Sequence, residues 1–347
     1  MVKQNNKVLL GLSGGVDSTA AALLLEEKGY DVTGYFFDVT GKNYTARKEA
    51  EETAKQLGME IICEDVSELF KELVIDNFCK EYLNGRTPNP CIVCNPNIKF
   101  RKLIENADRI GAYYIATGHY CRIKYDSNKN RYFVRQGASQ EKDQSYMLYR
   151  IGQDVLKRLI LPLGEVKSKE ETRTLARGKK LQNAEKKDSQ EICFIESDYA
   201  SYIESRGFYS EEGDFVDKDG LVLGQHKGIL HYTVGQRKGL GIALGKPIFV
   251  TGIDADKNRI VLGSNDELFS NTVECEDVFF SSGNAKEYDG TEVMAKVRYS
   301  AKPSPARIEV YDKKITTTFI NPQRAATPGQ SIVFYKGDIV IGGGFIK

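Results

Sequence analysis

A chain of 347 residues, 41% hydrophobic and 28% charged, is long enough for two or three domains that bury their own cores. That composition excludes a disordered, collagen-like or coiled-coil protein. Lys and Arg number 49 against 48 Asp and Glu, a formal charge of +1, which excludes a globally cationic nucleic-acid binder and leaves such a partner to a local patch.

The predicted elements alternate from the start. Val8–Leu12 reads as a buried strand, Ser18–Lys28 as a helix closed by Gly29, and Asp31–Phe37 as a second strand. Tyr44–Leu57 is a helix stopped by Gly58, Glu60–Glu64 a strand, Val66–Leu83 and Ile98–Ile110 helices, and Tyr113–Thr117 a strand. Such alternation predicts an α/β fold with a doubly wound parallel sheet, whose ligand sits at the carboxyl ends of the strands, so Ser13 and Gly118 should face one crevice. Tyr120–Gln136 reads as a hairpin and Ser168–Gly178 as the last helix. Beyond about Asp198, short strands and turn signals predict an all-β tail, giving domains at 1–198, 199–267 and 268–347. No apolar run reaches 18 residues, and Met1–Asn6 carries no signal-peptide pattern. A cytoplasmic location with no membrane partner is expected.

Ser13-Gly14-Gly15-Val16-Asp17-Ser18 joins the first strand to the first helix. Its glycines allow a sharp turn with exposed N–H groups, the helix N-terminus favours anions, and Ser13 and Ser18 offer hydroxyls, so a phosphate chain is the expected ligand. Asp17 would repel a phosphate unless a cation intervened, which suggests Mg²⁺ coordination. An ordinary capped turn is the bland alternative. The loop lacks both the P-loop ending and the dinucleotide glycine pattern. It resembles the PP-loop of ATP pyrophosphatases, which implies cleavage of ATP to AMP and pyrophosphate but leaves the acceptor open.

Six of seven cysteines lie at or before Cys193, and the odd number argues against a secreted disulfide framework. Cys91-Ile-Val-Cys94 follows Pro88 and Pro90, which should hold a non-helical loop, and precedes a helix start that should lower both thiol pKa values, with Lys99 and Arg101 adding positive charge. A redox pair, half a metal site or a nucleophile with a helper would each use this spacing; structural zinc lacks the second pair it needs. Cys193 follows Lys186-Lys187, which favour a thiolate, but its Ile192, Phe194 and Ile195 flank also suits a buried structural thiol. Cys63, Cys79, Cys121 and Cys275 read as core.

Together these stretches resemble the tRNA-specific 2-thiouridylases. The likeness runs through Gly11–Ser18, Gly85–Asn95, Ala116–Tyr120, Lys142–Tyr146, the Cys193 stretch, His231–Gly241, Val297–Tyr299 and Ala326–Gln330. It implies a PP-loop domain, a small central domain and a C-terminal β-barrel. It further implies ATP held by Gly11, Leu12, Ser13, Gly14, Gly15, Val16, Asp17, Ser18, Phe37 and Gly118, with Mg²⁺ on Asp17. The uridine C2 oxygen would be adenylated and sulfur delivered from a persulfide on Cys193, with Cys94 as nucleophile or disulfide partner. A flipped tRNA base would meet Asn89, Pro90, Cys91, His119, Lys142, Asp143, Gln144, Arg298, Tyr299 and Gln330. Many members carry Asp where this chain has Cys91. Cys91, Cys94 and Cys193 therefore also resemble the three-cysteine ligand set of thiolases that use a 4Fe-4S cluster, and both sulfur routes stay open. Expected partners are the tRNAs for lysine, glutamate and glutamine and a cysteine desulfurase or sulfur-relay protein, with no DNA. A PP-loop small-molecule synthetase and a non-catalytic tRNA-binding protein are the competing readings.

Overall fold

The computed structural model describes residues 3–178, 192–195, 198–242, 245–312 and 314–347. They form two compact units: the first comprises 1–73, 91–194 and 338–341, the second 74–90, 195–337 and 342–347.

In the first unit the strands are β1 (Lys7–Gly11), β2 (Asp31–Asp38), β3 (Ile61–Asp65), β4 (Tyr114–Ala116), the hairpin β5 (Cys121–Asp126) and β6 (Arg131–Gln136), and β7 (Leu159–Ile160). A five-stranded sheet has the order β3-β2-β1-β4-β7, and all its pairs are parallel. The chain winds outward from β1 to β3 and then crosses back to β4, so the switch point lies between β1 and β4. Val8 and Leu10 of β1 pack with Ala20, Ala21 and Leu25 of α1 (Val16–Glu27). Parallel strands covered by helices need apolar residues at successive positions, which explains the run Val8-Leu9-Leu10, each at most 1% exposed. α2 (Tyr44–Leu57) begins at Asn43, whose Oδ1 accepts from the Ala46 N–H at 3.1 Å, and ends at Gly58 with φ +70°.

The span Val66–Leu83 is not one helix. α3 (Ser67–Phe70) passes through a widened π turn at Lys71–Ile75 into α4 (Asp76–Leu83), and the first unit ends inside that turn, at Leu73. Pro90 likewise does not prolong a loop. It opens α5 (Pro90–Cys94), since a proline costs nothing at a first helical position, and the chain continues through a π turn at Asn95–Lys99 into α6 (Phe100–Arg109). α7 (Gln153–Leu156) and α8 (Lys169–Gly178) complete the unit's helices among the described residues, with Leu175 and Ala176 of α8 packed on Val16 and Leu23 of α1.

Ser168–Gly178 is not the last helix either. α9 (Tyr199–Ser205), in the second unit, is capped by Asp198, whose carboxylate accepts from the Ser201 N–H at 3.0 Å and hydroxyl at 2.6 Å. Besides α9 and α4, the longer elements of this unit are strands. β8 (Gly213–Val216), β9 (Val222–His226), β10 (Phe249–Asp254) and β11 (Arg259–Gly263) form a sheet of order β10-β11-β8-β9 around Phe215, Tyr232, Val250 and Ile260. β12 (Phe269–Phe280), β13 (Glu292–Lys296), β14 (Ser304–Tyr311), β15 (Lys314–Arg324), β16 (Ser331–Lys336) and β17 (Ile339–Ile346) close into a barrel, because β12 pairs back onto β17.

Residues 74–90 belong to this second unit through particular contacts. Tyr82 stacks on Tyr199 at 4.5 Å, the Thr87 N–H donates to the Pro328 carbonyl at 2.7 Å, and the Gln330 side-chain amide donates to the Thr87 carbonyl at 2.7 Å. No described helix is long and apolar enough to cross a membrane.

Candidate nucleotide and thiol site

The loop after β1 is braced by its own hydroxyls. Ser18 Oγ donates to the Gly15 carbonyl at 3.0 Å and accepts from the Ser13 N–H at 3.2 Å, which keeps the buried Ser18 occupied inside the loop while Ser13 is exposed. Gly14 adopts φ +73° with the Glu49–Ala50 backbone 3.0 Å from where a Cβ would stand, so only glycine suits the turn. Gly15 caps α1 in extended geometry, and Val16 is buried behind it. Gly14, Gly15 and Val16 therefore shape the loop rather than line its cavity.

That cavity, of about 230 Å³, is lined by Gly11, Leu12, Ser13, Asp17, Ser18, Phe37, Gly118, His119 and Gln144, together with Phe36, Lys99 and Thr117. It sits at the switch point, where β1 and β4 diverge and backbone amides at the start of α1 can meet an anion. Gly118 comes so close to the loop that a Cβ would stand 3.0 Å from the Asp17 carbonyl carbon and 3.1 Å from the Ser18 nitrogen. His119 Nδ1 lies 2.7 Å from Thr117 Oγ1, and burial, helped by Lys99, pushes its pKa well below the usual histidine value. The ring is therefore neutral at pH 7 and offers a hydrogen-bonding face rather than a charge.

Lys99 also acts on the thiols. Cys94, half-buried, has its pKa pushed up to about 12, chiefly by desolvation; Lys99 opposes this, and Cys193 and Cys91 add to it. The direction is opposite to the lowering expected from a helix start, because loss of water around the sulfur outweighs one ammonium. The Cys193 thiol is raised as well, first by desolvation and then by Cys91, again against Lys99. Cys91 and Cys193 are exposed as residues. Phe194 holds Cys193 in place by packing edge-on against Phe70 at 5.4 Å, so the apolar flank anchors the thiol without burying the residue. Lys186 and Lys187 lie outside the described residues.

Alkylation should report the protonated state of Cys94. With iodoacetamide its rate should rise about tenfold per pH unit from pH 7 to 10 without a plateau, since only the thiolate reacts. Mass-spectrometric labelling checks this, and a plateau below pH 9 would contradict it.

The residues expected to meet a flipped base divide between the units. His119, Lys142, Asp143, Gln144 and Cys91 belong to the first; Asn89, Pro90, Arg298, Tyr299 and Gln330 belong to the second. Several have local duties. The buried Asp143 accepts from the N–H groups of Gly137 at 3.0 Å and Ser145 at 3.2 Å and from the Ser145 hydroxyl at 2.8 Å. Gln144 Oε1 accepts from the Tyr120 N–H at 3.0 Å, Lys296 stands over the Tyr299 ring at 5.5 Å, and Gln330 holds Thr87 as described.

Of the cysteines read as core, Cys79, Cys121 and Cys275 are fully buried. Cys63 is not: it is half-buried on β3, with its sulfur 3.7 Å from Glu51 Oε1. The sequence put Lys99 beside the thiols as a positive charge but not in the cavity wall, and gave no role to Phe36, Thr117 or Lys169.

Mg²⁺ on Asp17 and a 4Fe-4S cluster on Cys91, Cys94 and Cys193 are the metals the sequence led one to expect. Among the described residues no three His, Cys, Asp or Glu side chains converge as a metal site. Asp17 Oδ1 already accepts from Lys169 Nζ and from the Tyr120 hydroxyl, both at 2.6 Å.

Comparison with known proteins places these features in a family. Residues 6–197 match the model of a tRNA methyl transferase HUP domain, 201–264 a tRNA methyl transferase PRC-barrel domain, and 272–346 an aminomethyltransferase beta-barrel domain. The tRNA-specific 2-thiouridylase MnmA of Clostridium acetobutylicum is 47% identical over 362 aligned positions, covering 99% of this chain and 100% of that protein. The one from Clostridioides difficile is 45% identical, covering 99% and 98%. A solved 4-thiouridine synthetase in complex with RNA and bound ATP is 18% identical, with a TM-score of 0.37, over 54% of this chain and 44% of that one.

Proposed function

The chain belongs to the tRNA-specific 2-thiouridylase family, and from that premise we propose that it thiolates the wobble uridine of tRNA at C2 through an adenylated intermediate and a persulfide. It is an enzyme, a tRNA sulfurtransferase. The observation that carries the finer reading is the presence, in one unit, of a phosphate loop at the switch point and of two thiols that share the field of Lys99 with it.

The uridine C2 oxygen attacks the α-phosphorus of ATP and pyrophosphate leaves, which converts a poor leaving group into AMP. The terminal sulfur of a Cys193 persulfide then attacks C2 and AMP departs. The Cys94 sulfur attacks the Cys193 sulfur, forms the Cys94–Cys193 disulfide and releases the thiocarbonyl with both electrons of the broken S–S bond. An external dithiol reductant reopens the disulfide, and a desulfurase or relay protein reloads Cys193. Cys94 must lose its proton in this step. Lys99, which opposes the rise of both thiol pKa values, is the positive group placed to favour that loss.

The cluster route is the second reading, favoured by the three-cysteine set, whose thiols act on one another: Cys91 and Cys193 raise Cys94, and Cys91 raises Cys193. The tRNAs for lysine, glutamate and glutamine are the proposed substrates, and the cytoplasm is the proposed compartment. Anaerobically purified protein, assayed for iron and sulfide and then given ATP, tRNA and a persulfide donor, tests this. Iron-free protein should release pyrophosphate only with tRNA and form 2-thiouridine. Activity that requires bound iron would replace the persulfide by the cluster, and tRNA-independent pyrophosphate release would favour a small-molecule synthetase.

A further inference from the structure

Asp17 is the only carboxylate among the described residues that line the nucleotide cavity. A phosphate chain and a bare carboxylate repel each other in a partly desolvated pocket. The structure supplies a cation within the chain. Lys169, the first residue of α8, places Nζ 2.6 Å from Asp17 Oδ1, and its side chain is only 12% exposed against 35% for Asp17. The Tyr120 hydroxyl donates to the same oxygen at 2.6 Å and lies 3.0 Å from Thr172 Oγ1, one turn along α8. Two side chains of α8 thus reach the Asp17 cluster, while Leu175 and Ala176 fix the helix against α1.

The placement of this lysine is not explained by its helix. A cation in the first turn is disfavoured by the helix dipole, and Glu170 and Glu171 fill that turn in the favoured sense. Asp17 has the opposite situation: its own helix dipole favours a negative charge in the first turn of α1.

We propose that Lys169 is a positioning residue that neutralises Asp17 for ATP binding, so that Asp17 enters the phosphate site as half of an ion pair and not as a Mg²⁺ ligand. The pair cancels the carboxylate charge that would otherwise repel the phosphates and leaves any Mg²⁺ to arrive on the nucleotide's own oxygens. This rests on the nucleotide reading of the cavity.

Calorimetric titration of the full-length protein with the non-hydrolysable α,β-methylene analogue of ATP, in EDTA and in excess Mg²⁺, tests it. Failure of the unsubstituted protein to bind would remove the nucleotide reading itself. Given binding, Lys169→Met should weaken it about tenfold in both conditions. Lys169→Arg should keep it within about threefold. Asp17→Asn should bind as tightly as the parent or more tightly, and the double variant should recover most of the Lys169→Met loss. In turnover, Lys169→Met should raise the KM for ATP more than it lowers kcat. Loss of affinity in Asp17→Asn confined to Mg²⁺, or additive losses in the double variant, would overturn the proposal and return Asp17 to the metal. Should Lys169→Met fail to fold, the isosteric Asp17→Asn decides alone: retained affinity supports the ion pair and lost affinity overturns it.

Discussion

Serine at Cys193 or at Cys94 should cut 2-thiouridine formation at least about a thousandfold while tRNA-dependent pyrophosphate release stays within about threefold of the parent. A hydroxyl cannot carry a persulfide, so Cys193→Ser removes the sulfur store. Serine cannot complete a disulfide, so Cys94→Ser leaves the sulfur transferred to C2 still bonded to Cys193. Neither sulfur lines the nucleotide cavity, whose walls come from the loop after β1, the end of β2, the loop after β4, Lys99 and Gln144, so adenylation should survive both changes. Thionucleoside analysis of tRNA together with radiolabelled pyrophosphate release reads the two steps separately. Loss of both activities in either variant would contradict the division of labour. Cys91→Ser separates the sulfur routes: under the persulfide reading it costs far less than the other two, whereas a cluster held by three thiolates would be lost equally through any of them.

Gly118→Ala should weaken ATP binding at least about a hundredfold, with a loss of about 1–3 kcal/mol in stability. The added methyl would stand 3.0 Å from the carbonyl carbon and 3.1 Å from the carbonyl oxygen of Asp17, and 3.1 Å from the Ser18 nitrogen. All three are backbone atoms of the first turn of α1, none of which can swing aside as a flexible side-chain tip would. The strain therefore falls on the turn whose amides face the cavity. Gly152→Ala, where nothing lies within 4 Å of the added carbon, is the control and should leave ATP binding unchanged, its stability cost limited to the loss of a glycine N-cap on α7. Calorimetric ATP titration with thermal melting checks the pair. An alanine at 118 that binds ATP like the parent would show that β4 and the loop need not approach so closely.

Much of the framework was written in local sequence. The strand–helix alternation of residues 7–118 specified the parallel sheet, and Asn43 and Gly58 marked the ends of α2, because caps and turns act over three or four residues. The same locality placed Ser13 and Gly118 at carboxyl ends of strands, and both line the one cavity. The breaks were harder to read. The π turns at Lys71–Ile75 and Asn95–Lys99 interrupt patterns that look continuous by apolar spacing, and Asp198 serves as a cap for a helix too short to show a period.

What tertiary structure alone decided was how the charged and polar groups are used. Lys169 reaches Asp17 across 152 positions of sequence, and Gln330 reaches Thr87 across 243. The Asp143 carboxylate is taken up by neighbouring N–H and hydroxyl groups, and Cys94 is driven toward its protonated form although a lysine stands nearby. Residue type and spacing can nominate a thiol, a carboxylate or a lysine. Its charge state depends on the water removed from it and the partner brought to it, and both are set only when distant segments fold against one another.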